Sequence, residues 1–558
     1  MGLLWEGKRQ AMMKHIKEWE MKGISGAVAG IFFAFLLVPV LILLGTSFAG
    51  ERGFTLAHYR EILGEKGFLQ ALRNSALLSS VSAAAATALA FVLAYTIQYT
   101  NVPKGLKYFV RLTALIPALI PAVTYGAAAA YLLEPHSFAG LLLGYTICAL
   151  PAAFVLMYHS MESIDRKFMV VSRIMGDTPL RTFLEMVCRP FLGSFAASVI
   201  QCFTFCFADY GISAAAGGNI QTAAVVVWRE MMGGGPNAGR GAAAAAILLI
   251  PSVMNVGLLY YLGQHSVPGG SYFSEEIRPG RIRDISCGLL SCLILAPVVC
   301  MTAVILVVPL TEGQPGQLHF TAKYISETFS DPSLRRACGN SLLTAALSAL
   351  IGSLTAYGAA LAAKRSGLGG RLKGAVESTA LAAHAVSGVT MGAAFLLAFS
   401  GTPLEDTWLL LAVCNAVLFF PVPYKMMKSS LAGMNASWEP TALLMGDTWL
   451  ETVVRVVTPN AMLALLRAFS YCFVNAVTAV NAAVFIAGAR TMVITTEINV
   501  LQEQMRFHEI FALSLLALTV NLAVGSVPWY LEMHRKHAGE SERLVKNPHT
   551  AAGRRIDW

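Results

Sequence analysis

The sequence predicts an all-α polytopic membrane protein of about twelve transmembrane helices, arranged as two parallel six-helix repeats. Three observations predict it: a shortage of charge, a series of long uncharged runs, and a second half that restates the first. Of the 558 residues, 13% are charged and 56% hydrophobic, where a soluble domain carries roughly 25% charge. Mean hydropathy is +0.60. These figures exclude a disordered chain and a disulfide-built secreted scaffold. The net charge of +9 is spread through short loops instead of gathered on one face, which argues against a nucleic-acid partner.

The runs free of Asp, Glu, Lys and Arg are 24–50, 74–103, 112–133, 135–161, 241–274, 285–311, 337–363, 378–404, 407–424 and 510–531. Two more, 191–228 and 456–489, are interrupted only by Asp209 and Arg467 respectively. Each is long enough, or nearly so, to cross about 30 Å of hydrocarbon as a helix. Helix is the required form because backbone facing lipid must satisfy its own hydrogen bonds. The runs divide the chain into a leader (1–23), a first repeat (24–263), a linker (264–284), a second repeat (285–531) and a tail (532–558).

Orientation follows from Lys and Arg. With the N-terminus inside and twelve crossings, 29 of the 41 basic residues fall on the cytoplasmic side and 11 outside. That bias predicts a multi-pass protein with both termini in the cytoplasm. The leader has no cleavable-signal pattern. Its Met12, Ile16 and Trp19 share a helical face beside Lys8, Arg9, Lys14 and Lys17, as in a helix lying on lipid at the interface. The ten cysteines read as small hydrophobes, with no metal-ligand spacing among them.

The internal repeat is read at an offset of 266 residues. Asn74-Ser75 returns as Asn340-Ser341, and Val123-Thr124-x-Gly126-Ala127-Ala128 as Val389-Thr390-x-Gly392-Ala393-Ala394. Asp209 pairs with Asn475 and Asn255 with Asn521 at the same spacing. Met175-Gly176-Asp177-Thr178 returns as Met445-Gly446-Asp447-Thr448, at 270. An even number of spans between the copies makes the units parallel.

Both copies of that tetrad fall in the longest cytoplasmic loops, between the fourth and fifth spans of each half. Gly176 and Gly446 can end a short helix without steric cost. Thr178 with Pro179 reads as an N-cap followed by proline in the first turn. Thr448 with Glu451 reads as a capping box. Helix, glycine turn and helix, twice over beneath the membrane, form a docking surface more readily than two plain connections.

These loops resemble the EAA loop of bacterial type I ABC importer permeases: Glu-Ala-Ala, three residues, Gly, nine residues, then Ile-x-Leu-Pro. Gly446 is followed at the matching distance by Val456 and Pro459, and Ala442 holds the second alanine position. Pro440 and Thr441 stand in for the Glu and first Ala. In the first half Val170, Val171 and Ser172 replace all three letters, and Pro190 arrives one residue late. Fused two-half permeases of this family are typical of ferric-iron, thiamine and some 2-aminoethylphosphonate importers. Phe207-Ala208-Asp209-Tyr210-Gly211, the following Gly217-Gly218, and the stretch from Phe473 to Phe485 are similar to the ferric-iron type.

The resemblance implies the type I permease fold and the machinery around it. Two copies of a cytoplasmic ATPase, each taking one loop, would bind ATP and Mg. An extracytoplasmic binding protein would deliver the solute, with ferric iron first and 2-aminoethylphosphonate, thiamine or a polyamine as alternatives. The chain itself has no G-x-x-x-x-G-K-[S/T] and so is no P-loop enzyme; no cofactor is expected in it.

Asp209 is the acidic residue within a strong span, and with Tyr210 and Asn475 it is the candidate for the translocation path. Asn475 is expected to face it across the halves. Arg467 is expected to snorkel to lipid phosphates. His159 and His384 read as packing residues. A twelve-helix secondary transporter also fits the span count, but residues 100–111 lack the Gly-x-x-x-Asp-Arg type loop such a protein would show.

Overall fold

A computed structural model describes residues 22–50, 53–133, 137–162, 172, 174–176, 178, 181, 184–218, 220–264, 280–312, 319–365 and 370–546. Nearly all of the leader, most of the linker and the end of the tail therefore lie outside the described residues, as do Asp177 and Pro179.

Apart from two short hairpins, the regular structure is helical. Among the described residues, eight helices are long and apolar enough to cross a bilayer: Lys22–Phe48, Lys66–Tyr99, Phe138–Glu162, Ala238–Leu262, Arg281–Leu310, Pro332–Lys364, Trp449–Thr478 and Phe507–His534. Three further runs are bent pairs, which raise the number to eleven if each makes one crossing. The expected twelve is therefore not confirmed among the described residues. The remaining run, 191–228, holds only the shorter apolar helix Phe191–Phe207. Its helix ends there because Asp209 turns its carboxylate onto the backbone N–H of Ile212, at 2.8 Å. That bond caps a new short helix, Gly211–Ala216.

The bends repeat with the sequence. Lys104–Leu119 meets Ala122–Leu132 at 102°, and Gly374–Ala385 meets Gly388–Phe399 at the same 102°. Pro121 occupies the first break and Ser387 the second, 266 residues apart. Proline lacks the N–H that would continue the helix, whereas the Ser387 hydroxyl accepts from Thr390 N and starts a new one. Each half also places a two-residue hairpin after its first long helix, Ala49–Gly50 with Gly53–Phe54 and Thr311–Glu312 with His319–Phe320. A short helix follows each, Ala57–Gly64 and Lys323–Ser330.

The Asn–Ser pairs do the same work in both halves. Asn74 donates to the carbonyl of Gln221, and Ser75 accepts from Ala223 N at 2.8 Å. Asn340 donates to Arg490 and Met492 carbonyls, and Ser341 accepts from Ile494 N at 2.7 Å. Each pair thus satisfies the start of a short helix, Ala223–Met232 or Ile494–Glu503, that folds back against the second long helix.

The first helix of each half crosses to the other half. Phe32 packs on Phe420 at 4.3 Å between ring centres and Phe35 on Phe399 at 5.7 Å. From the second half, Ser291 donates to Thr96 at 2.8 Å, and Thr302 bonds Tyr125 at 3.3 Å. The interior is rich in fully buried alanine, including Ala83, Ala86, Ala90 and Ala242 to Ala245. Small side chains let helix backbones approach where lipid offers no competing hydrophobic drive. Ile285, Leu289 and Leu293 are spaced by four and exposed, as a lipid-facing stripe should be.

Candidate functional site

A cavity of about 420 Å³ lies between the halves. The two 102° bends line it, together with the 58° break between Trp408–Phe419 and Pro421–Ala432 and the ends of Phe191–Phe207 and Trp449–Thr478. Gly126 and Gly392 let these elements meet. A Cβ on Gly126 would stand 2.9 Å from the Ile212 carbonyl oxygen, and one on Gly392 2.9 Å from that of Ala482. Thr124, beside Gly126, bonds Ser514 of the other half at 2.7 Å. Its repeat partner Thr390 donates to the Ala245 carbonyl at 3.3 Å, again across the halves.

Asp209, Asn255, Asn475 and Asn481 all line this cavity, with Tyr471 and His384. Asp209 is buried. The contact across the halves at this point is made not by Asn475, as the repeat suggested, but by Asn481. The Asn481 side chain accepts from Tyr210 N at 3.0 Å, next to Asp209 in the chain. Asn475 instead donates to Tyr471 O, one turn back in its own helix, at 2.8 Å. The reason is register. The fifth helix of the first half ends at Phe207, and that of the second runs on to Thr478. Asn475 is therefore still helical, while Asn481 occupies the unwound segment that can reach across. Tyr210 takes part through its backbone, and its ring rests on Trp228 at 5.7 Å. A second tie follows close by, where Gln502 donates to Ala215 O at 3.2 Å.

At the far end of the fifth helices lie the two glycine loops. Gly176 has φ +80° and Gly446 φ +97°, a conformation natural to glycine and costly with a Cβ. Thr448 accepts from Glu451 N at 3.3 Å while the Glu451 carboxylate accepts from Thr448 N at 2.8 Å, completing the capping box. Thr178 accepts from Arg181 N at 3.4 Å. Asp447 donates through its backbone to Ala442 O at 3.0 Å, closing the helix Trp438–Met445 before the turn. Each glycine is preceded by two strongly exposed apolar side chains, Ile174 (80%) with Met175 (77%) and Leu444 (80%) with Met445 (80%). Exposed apolar pairs at matching places of two loops are what a protein partner would cover. Ile174 and Leu444 lie just outside the repeated tetrad, which is why the motif alone passed over them.

Arg467 meets Glu532 of the last long helix in an ion pair, so it does more than reach for lipid. No local pattern announces this pair, because the two residues stand 65 apart.

Most of the chain is similar to curated proteins. A ferric transport system permease, FbpB of Actinobacillus pleuropneumoniae, is 22% identical over 519 residues, covering 86% of this chain and 74% of that protein. The likeness is to fused two-half ABC importer permeases. A Haemophilus influenzae protein named for the same ferric transport role is 21% identical over 497 residues, 83% of this chain and 77% of its own length. A homologue of the spermidine/putrescine permease PotC, from Mycoplasma pneumoniae, is 23% identical over 231 residues, 37% of this chain and 81% of that protein. No protein-family model matches the chain. The likeness is to transport permeases, and the long apolar helices are those of a multi-pass membrane protein.

Proposed function

We propose that this permease carries ferric iron inward through the cavity between its halves, driven by ATP hydrolysed on separate subunits. The observation that carries the reading is the likeness to FbpB over 86% of the chain, spanning both halves at once. Two copies of a cytoplasmic ABC ATPase would each seat on one glycine loop, with Met175 and Ile174 in one contact and Met445 and Leu444 in the other. An extracytoplasmic binding protein would meet the opposite end, where the hairpins and the Tyr210–Asn481 contact lie. Both termini would then be cytoplasmic, as the basic bias predicts.

Among the residues lining the cavity Asp209 is the acidic one, and the other polar side chains include Gln201, Asn255, Asn475, Asn481 and His384, set among many apolar ones. A fixed carboxylate in a low-dielectric passage favours a cation and disfavours free anions. The PotC-like match over 37% of the chain favours a polyamine as the second reading, and a polyamine is also cationic. Uptake into vesicles holding the permease, its ATPase and its binding protein separates the two. Radiolabelled ferric iron should accumulate with ATP, and unlabelled spermidine should not compete. Competition by spermidine, with no ferric uptake, would support the polyamine reading instead.

A further inference from the structure

Arg365 follows the long helix Pro332–Lys364 and is buried with its partner: the two side chains of the Arg365–Glu439 pair are 5% and 8% exposed. Its Nη1 donates to both carboxylate oxygens of Glu439, each at 3.1 Å, and to Asn435 O at 3.0 Å. Its Nε and Nη2 donate to Leu431 O at 3.2 and 2.9 Å. All three guanidinium nitrogens are thus engaged. One side chain ties together the second helix of the half, the end of Pro421–Ala432, the turn at Asn435, and the first turn of Trp438–Met445. That last helix carries Leu444 and Met445 to the Gly446 turn.

A buried ion pair gives little stability over apolar residues of the same volume, because desolvation offsets the attraction. What such a forked arrangement does supply is fixed orientation. The first half has a different sequence at these places. Tyr99 stands 266 residues before Arg365, and its hydroxyl donates to Met161 O at 3.4 Å. Glu439 lies seven residues before Gly446, and Met169 lies seven before Gly176. The helix that Arg365 ends also leads back to the cavity wall. Gly352 faces the helix bearing Asn475 so closely that a Cβ there would stand 2.9 Å from Cys472 Sγ.

We infer that Arg365 and Glu439 are positioning residues that make the second glycine loop move as one body with Pro332–Lys364, and through it with the Asn475 helix. The inference rests on the ABC permease reading, in which that loop receives the ATPase's motion. It makes the two loops unequal at these sequence positions: the second is joined to its transmembrane helix by the buried Arg365–Glu439 fork, where the first half has Tyr99 and Met169.

The test is the full-length Arg365→Met, Glu439→Leu double variant, reconstituted with the ATPase and the binding protein. Removing both charges strands neither, so folding and ATPase association should persist. Basal ATP hydrolysis should match the wild type, while the stimulation by loaded binding protein should fall at least about fivefold. Arg365→Lys should not restore it, since one ammonium cannot serve the same set of acceptors. Tyr99→Phe should leave stimulation intact. Undiminished stimulation in the double variant overturns the inference. Should that variant fail to assemble, Glu439→Gln decides: it keeps shape and one acceptor without the charge, and full stimulation there overturns the inference while a loss supports it. A wild-type permease that binds no ATPase would overturn the ABC reading, and the inference with it.

Discussion

The carboxamide oxygen of Asn481, in the second half, accepts the backbone N–H of Tyr210, in the first, at 3.0 Å. This bond joins the two unwound segments after the fifth helices, on the wall of the cavity and at the end away from the glycine loops. Beside it, the Asp209 carboxylate accepts from Ile212 N at 2.8 Å.

Asn481→Leu should loosen that junction. It leaves the Tyr210 N–H without its partner, a loss of about 1–3 kcal/mol for a buried donor. Thermal unfolding in detergent should shift downward. Asn475→Ala should shift it much less, because the Asn475 amide serves only its own helix. Equal shifts from the two variants would contradict the junction described.

Asp209→Asn separates charge from capping. The amide oxygen can still accept from Ile212 N, so assembly should be kept. Uptake of a cationic solute should fall by roughly tenfold or more if the carboxylate faces the path, as about 1.4 kcal/mol of lost attraction would give. Wild-type uptake in this variant would remove Asp209 from the path and leave it a cap.

Gly446→Asp and Gly176→Asp should both weaken ATPase capture while the spans remain folded. A side chain at φ +97° or +80° costs about 1–3 kcal/mol of backbone strain, released by deforming the turn. Capture is measured by copurification at fixed detergent and salt. The Gly446 variant should be the more damaging for coupled hydrolysis, because its loop is joined to Pro332–Lys364 through Arg365. Normal capture and transport by Gly446→Asp would rule out docking at that turn.

Ser341→Ala should destabilise by about 1 kcal/mol, the ordinary cost of a lost cap, since Ile494 N loses its acceptor. Ser75→Ala should match it through Ala223 N. The shared effect, read as two similar drops in unfolding temperature, tests whether the Asn–Ser repeat does one job twice.

Much of this was legible in the residues. Charge-free runs located the long helices, and the duplicated Asn–Ser and Val-Thr-x-Gly-Ala-Ala motifs found positions that perform matching contacts. The Gly176 and Gly446 turns followed from composition and capping pattern. Direction was not legible: 112–133 and 378–404 read as straight spans because hydropathy carries no angle, and only Pro121 hinted at a 102° bend. The Asp209–Asn475 pairing failed for a related reason. An offset of 266 held for most motifs, but the fifth helices end at Phe207 and Thr478, a different spacing, so the equivalent of an early residue lay several places later. Asn481 was thereby missed. The Arg365–Glu439 fork was invisible because its partners come from segments 74 residues apart, and Tyr99 and Met169 stand at the matching places of the first half.

The most direct test of the central claim is whether solute uptake by this chain runs on ATP. Proteoliposomes containing the permease, its copurified ATPase and loaded binding protein should accumulate ferric iron only when ATP is supplied to the ATPase side. Uptake should vanish in Gly446→Asp and persist when proton and sodium gradients are collapsed. Uptake that follows an imposed ion gradient, without ATP and without a bound ATPase, would contradict the account and return the chain to the secondary transporters.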